Sequence, residues 1–189
     1  YEKGGSGAGG VAVKTSATDT LTLKERLEHH YLTGLSTVEA TYENSEKVIE
    51  EFQQFFKNAN SNPPGKYKTF IIPHENNTNK RNDLMDLLDI NGITYGYVST
   101  SGSLSIDNAF NYTTGNTETI EISNKDLCIS TQQDLAVLTH VLFEPVTHVS
   151  DSVTYDITAW SLPYIYGLQA YATETVFELT EDSSKPDGS

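Results

Sequence analysis

Apolar residues recur at every third or fourth position along residues 21–60, a spacing that places them on one face of an α-helix. The first stripe is made of Leu23, Leu27, Tyr31, Leu35, Val38 and Tyr42. After a helix restart at Asn44 or Ser45, the second is made of Val48, Ile49, Phe52, Phe55 and Phe56. We expect Asp19 or Thr20 to cap the first helix. The polar run at residues 58–65, which contains Pro63 and Pro64, is expected to end the second helix and to mark a domain boundary.

The pattern changes after this boundary to short apolar runs alternating with helical spacing. Runs such as Phe70-Ile71-Ile72 and Leu127-Cys128-Ile129 are typical of strands whose two faces are both covered. Helices are predicted from Thr78 or Asn79 to residue 90, and from Thr131 to Pro145. A strand, helix and strand in succession favour parallel pairing through a crossover. The pattern therefore predicts an α/β domain over residues 66–178 with a mostly parallel sheet. It assigns residues 99–116 to a long loop and 179–189 to a disordered tail.

Charge and composition exclude several classes of partner. The chain carries 26 acidic and 12 basic residues, a formal net charge of -14. Such a chain repels phosphate backbones and anionic lipid surfaces, so we expect neither nucleic-acid nor membrane binding. No apolar run approaches the ~20 residues of a membrane span. The chain also begins without a methionine, and we expect it to be excised from a longer protein.

The histidines do not follow the spacing of a zinc peptidase site. His29 and His30 are adjacent on a predicted helix and point about 100° apart. His74 is followed by Glu75, and His140 precedes Glu144 by four positions. Neither a His-x-x-Glu nor a His-Glu-x-x-His motif occurs, so no metal site is predicted within this chain.

Two stretches resemble a known family. The opening Tyr1-Glu2 and the Gly-rich run at residues 3–10 look like the strand and loop that hold the catalytic glutamate of bacterial zinc carboxypeptidases of the funnelin family. The resemblance implies that Glu2 is the general base and acid of the intact parent protein. It also implies that zinc is bound upstream of Tyr1, that residues 1–20 are a remnant of the catalytic domain, and that the parent is secreted or periplasmic.

The second stretch begins at the strand of residues 126–130. It continues through residues 132–145 to the string Tyr155-Asp156-Ile157-Thr158-Ala159-Trp160-Ser161-Leu162-Pro163. It resembles a domain appended to one bacterial branch of these peptidases, similar to an inactive class I glutamine amidotransferase. The resemblance implies a three-layer flavodoxin-like fold, preceded by the helical segment of residues 21–60.

The function expected from these observations is that of a non-catalytic accessory domain that packs on the upstream carboxypeptidase domain. If that domain does not cover the apolar helix faces, we expect them to drive self-association. One alternative is a cysteine-dependent amidase or glyoxalase that uses Cys128, with His140 or His148 as the base. Another is a peptide- or carbohydrate-binding module with an aromatic platform of Tyr95, Tyr97, Tyr112 and Trp160.

Overall fold

The computed structural model describes residues 11–146 and 161–181. Glu2, His148, Trp160 and the predicted tail beyond residue 181 therefore lie outside the described residues. The chain divides into two compact units, Tyr1–Gln53 and Gln54–Ser189. In the described ranges, no helix is both long enough and apolar enough to cross a membrane.

The first unit contains a small hairpin and a long helix. β1 (Ala12–Lys14) pairs antiparallel with β2 (Thr20–Thr22), and α1 (Leu23–Glu43) follows at once. Thr22 caps α1, because its hydroxyl accepts from the Glu25 N–H at 3.2 Å and its own N–H donates to the Glu25 carboxylate at 2.8 Å. The predicted caps, Asp19 and Thr20, are wrong because these residues close the turn and start the strand of the hairpin.

The second helix and the main sheet follow. α2 (Ser45–Ser61) begins after Asn44, and the division between the two units falls within it. The strands of the sheet are β3 (Thr69–Ile72), β4 (Gly96–Val98), β5 (Leu104–Asn111), β6 (Thr117–Ile122), β7 (Leu127–Ser130), β8 (Tyr171–Thr173) and β9 (Leu179–Glu181). Their order is β6-β5-β8-β3-β7-β4-β9. Residues 179–181, which the sequence analysis assigns to a disordered tail, thus form an edge strand.

All neighbouring strands of this sheet pair antiparallel. The α/β class is confirmed, but the predicted flavodoxin-like, mostly parallel sheet is wrong. β3 and β4 do run in the same direction, since both pair antiparallel with β7, but β7 lies between them. The order β8-β3-β7-β4 is that of a split β-α-β, or ferredoxin-like, arrangement. Continuous apolar runs indicated two covered sheet faces correctly, and they carry no information on strand direction.

Alternate residues of β3 and β7 enter two separate clusters. Phe70, Ile72, Leu127 and Ile129 pack with side chains of the helices on one face. The helices on this face are α3 (Thr78–Ile90), α4 (Ala136–Phe143) and α5 (Leu162–Tyr166). Ile71 and Cys128 pack into the second cluster, on the other face.

The second face is covered by the hairpin of β5 and β6, and β5 lies within residues 99–116, which the sequence assigned to a long loop. Phe110 and Asn111 pair with β8, whereas Ile106 and Ile120 join the cluster around Ile71. The register shifts between Ile106 and Ala109, and Asn108 there has a positive φ of 56°. This bulge breaks the alternation of apolar and polar residues, which is why the strand was not recognised from the sequence.

The helices of the second unit begin at different residues from those predicted. Asn77, rather than Thr78 or Asn79, caps α3 through its side-chain oxygen. α4 begins at Ala136 instead of Thr131. Thr131 does not start the helix, because its backbone N–H and its hydroxyl both donate to the Lys68 carbonyl, at 2.9 and 3.2 Å.

Candidate functional site

An exposed apolar stripe runs along α1 and the first half of α2 in the first unit. We define the apolar stripe as Leu27, Tyr31, Leu35, Val38, Tyr42, Ile49 and Phe52. Their exposed fractions range from 44% for Leu35 to 82% for Tyr42, and no residue of α1 is buried. Exposed aromatic and aliphatic side chains in a contiguous row mark an interaction surface.

The spacing of the apolar stripe is that of a helix packed along its length against a partner. From Tyr31 onwards its members follow at steps of four, three, four, seven and three residues. This is the heptad spacing that keeps a seam on one side of a helix. The i to i−4 hydrogen bonds continue past Asn44, because the Asn44 N–H donates to the Ala40 carbonyl at 3.1 Å and the Val48 N–H to the Asn44 carbonyl at 2.9 Å.

The area of the apolar stripe matches that of a stable interface. If a large apolar side chain presents ~150–200 Å² when fully exposed, the seven members together expose roughly 670–890 Å². A standard-size interface takes about 800 Å² from each partner, whereas the largest apolar patch on a typical monomer is about 300–600 Å². The stripe is therefore comparable in area with one side of a standard interface.

The flanks of the second half of the apolar stripe are acidic. Residues 38–53 contain five glutamates and one lysine: Glu39, Glu43, Glu46, Glu50, Glu51 and Lys47. Lys47 pairs with Glu51 at 3.7 Å, and both side chains are exposed. A second copy of the chain would bring two acidic flanks together, and like charges at an interface are unfavourable. The flanks instead favour a partner whose apolar groove is bordered by lysine or arginine.

The cysteine and histidine singled out in the sequence are not brought together. Cys128 is fully buried in the cluster on the second sheet face, and burial, with a contribution from the Asp126 charge, raises the pKa of its thiol to about 12. His140 lies on α4, on the opposite face, with its Nε2 3.6 Å from a Glu144 carboxylate oxygen. A buried thiol that titrates near 12 is a protonated core residue at neutral pH rather than a nucleophile.

The aromatic residues of the predicted platform do not form an exposed surface. Tyr95 and Tyr112 are buried, and the Tyr112 hydroxyl donates to the Phe143 carbonyl. Burial raises the pKa of Tyr112 well above its ordinary value. Tyr97 is half-buried in the sheet, and Trp160 lies outside the described residues. These tyrosines pack the core, as their apolar rings favour.

A group of potential ligands that the sequence analysis missed lies where β3 ends and β7 begins. The donor atoms of His74, Glu75 and Asp126 all lie within 4.8 Å of one another. His74 follows β3, and Asp126 directly precedes β7. Because the two strands pair antiparallel, with Ile72 opposite Leu127, these residues become neighbours. The His74-Glu75 dipeptide was visible in the sequence, but the third residue could be added only once the strand direction was known.

Asp126 anchors this corner. Burial alone would raise the pKa of Asp126, but hydrogen bonds from the His74 side chain and backbone and from Ser123 outweigh it, so this pKa lies below its ordinary value. The backbone N–H of His74 donates to Asp126 Oδ1 at 2.8 Å, and the backbone N–H of Ser123 donates to Asp126 Oδ2 at 2.7 Å.

Comparison with protein-family models, with curated proteins and with solved structures found no match to this chain.

Proposed function

We propose that this chain carries the non-catalytic accessory domain of a bacterial zinc carboxypeptidase-like protein, and that its apolar stripe packs on the upstream catalytic domain. The observation that supports this proposal is the stripe itself, a heptad-spaced row of exposed apolar residues with an interface-sized area. The acidic flanks favour a partner other than a second copy. By the same resemblance, we propose that the parent is secreted or periplasmic.

In this proposal the chain contributes one group to catalysis, and only within the parent. Glu2, by its resemblance to the family motif, would act as general base and acid, and a zinc ion held by the upstream domain would supply an activated water. Glu2 stands 25 positions before Leu27, the first residue of the stripe (27 − 2). Docking of the stripe would therefore tether this glutamate to the zinc-bearing domain.

The family's zinc does not fit the ligands of this chain's described residues. The one group of three or more such ligands that lies there is His74, Glu75 and Asp126, and it lacks the second histidine of the family's site. In the proposal, the His-x-x-Glu pair and the later histidine therefore belong to the upstream domain, and any hydrolysis depends on it.

A two-component experiment tests the proposal. The upstream part of the parent and this chain are produced as separate polypeptides and mixed, and their association is followed by sedimentation velocity. Release of C-terminal amino acids from a peptide, with zinc present, is measured in parallel. We expect a one-to-one complex and turnover by the mixture but not by this chain alone.

Variants locate the interface. Val38→Glu and Phe52→Glu each place a charge in the stripe, and we expect each to weaken association at least tenfold. Ile90→Glu is the matched control, because Ile90 is 83% exposed and lies on α3, outside the stripe. Zinc-dependent turnover by this chain alone would end the proposal, as would association that is unaffected by both stripe variants.

A further inference from the structure

Two carboxylates lie beside one imidazole nitrogen at the corner formed by His74, Glu75 and Asp126. His74 Nδ1 lies 2.8 Å from Oδ1 of Asp126 and 3.4 Å from an oxygen of Glu75. If the Nδ1–H of His74 donates to Asp126 at 2.8 Å, the exposed Glu75 carboxylate at 3.4 Å is left with only a longer contact to this nitrogen. A divalent cation, by contrast, can bind all three atoms together.

The geometry is close to what a small divalent metal needs. Zinc binds histidine nitrogen and carboxylate oxygen at ~2.0–2.2 Å, which separates the ligand atoms of a tetrahedral site by roughly 3.3 Å. The two measured distances fall on either side of this value, and all three atoms lie within 4.8 Å of one another. If His74 Nδ1 and Asp126 Oδ1, now 2.8 Å apart, moved apart by about half an ångström, they would reach the spacing of two zinc ligands.

The support of the group also resembles that of metal sites. The Asp126 side chain is 7% exposed and is fixed by the His74 and Ser123 backbone N–H groups, which would stay in place with a metal bound. The His74 and Glu75 side chains are 38% and 72% exposed, so an ion can reach them from solvent. One rigid ligand and two accessible ones leave open positions for water.

We propose that His74, Glu75 and Asp126 form a surface site for a divalent first-row transition metal such as Zn²⁺. An imidazole nitrogen in the ligand set favours zinc, nickel or copper over Mg²⁺ and Ca²⁺, which prefer oxygen ligands alone. Glu75 also lines a cleft of about 540 Å³, together with Asn76, Glu118 and Tyr171. An ion bound by Glu75 would therefore present its open positions at the edge of this cleft. This site is separate from the zinc of the proposed parent, and neither proposal depends on the other.

Calorimetric titration of the 189-residue chain with ZnCl₂ tests the site, and MgCl₂ serves as the comparison. We expect saturable binding of one Zn²⁺ and at least tenfold weaker binding of Mg²⁺. His74→Ala and Glu75→Gln should each weaken Zn²⁺ binding about 10-fold or more. Asp126 is left unchanged because it also holds the turn before β7.

The control removes the adjacent histidines of α1, as His29→Ala/His30→Ala, and should leave Zn²⁺ affinity unchanged. Histidine ring resonances in NMR provide a second readout, and those of His74 should shift on addition of zinc. Circular dichroism confirms that each variant is folded. Absence of binding at millimolar zinc overturns the proposal. So does binding that survives both His74→Ala and Glu75→Gln, or that is lost in the control.

Discussion

Two phenylalanines with opposite environments give a quantitative contrast between core and interface. Phe70 is fully buried and stacks on Phe143 with ring centroids 5.2 Å apart, whereas Phe52 is 65% exposed. Truncation of a buried phenylalanine costs about 3–5 kcal/mol of folding free energy. We therefore expect Phe70→Ala to lower the free energy of unfolding by that amount.

Phe52→Ala should act on docking instead of folding. If a fully exposed phenylalanine presents about 200 Å², the exposed 65% corresponds to roughly 130 Å². At ~25 cal/mol per Å², covering this area contributes up to about 3 kcal/mol, which corresponds to a loss of about 100-fold in affinity for the upstream domain. In the isolated chain, the change should cost less than about 1 kcal/mol of stability.

Urea unfolding followed by circular dichroism measures the free energy of unfolding of both variants. Sedimentation with the upstream domain measures their affinity for that domain. Unfolding is compared at two protein concentrations, so that any contribution from self-association is seen as a shift of the midpoint. A Phe52→Ala variant that is as destabilised as Phe70→Ala would refute the reasoning, since it would place this ring inside the folded unit.

Three further outcomes are expected. Cys128 should resist alkylation at pH 8 in the native chain, with a rate at least 1,000-fold below that in urea, because its pKa of about 12 leaves ~0.01% thiolate and the sulfur is buried. Because the pKa of Asp126 is lowered in the folded chain, its ionised carboxylate contributes stability above pH ~4, and this stability is lost as the pH falls through the folded-state pKa. The urea midpoint of the wild type should therefore fall over this pH range, and that of Asp126→Asn should not. Asn108→Gly should raise the thermal midpoint by a few degrees, because φ is 56° there, and a lowered midpoint would contradict this reading of the bulge.

The sequence pattern predicted local structure better than topology. Helical spacing and turn residues located α1, α2 and α3 to within a few residues, because these signals arise from neighbours along the chain. The runs around Ile71 and Cys128 showed two covered sheet faces. They did not show that β7 lies between β3 and β4, since the pairing of strands far apart in sequence leaves no local pattern.

The candidate sites were limited by the same missing information. Helical periodicity identified the apolar stripe in the sequence, but its exposure became evident only because the described part of the first unit, residues 11–53, does not bury it. In the group of His74, Glu75 and Asp126, the residues His74 and Asp126 are 52 positions apart in the sequence, and the antiparallel pairing of β3 with β7 brings them together. The burial of Cys128 was indicated by the apolar run around it, but its neighbours on the β5–β6 hairpin, such as Ile106 and Ile120, could not be named from the sequence.

Solvent accessibility of the apolar stripe in the proposed longer parent protein tests the central claim most directly. Hydroxyl-radical labelling followed by mass spectrometry compares Tyr31, Tyr42 and Phe52 in this chain and in the parent, with the exposed Tyr164 as an internal reference. We predict labelling of all three in this chain and strong protection of all three in the parent. Equal labelling in the two proteins would contradict the proposal that the upstream domain covers the stripe.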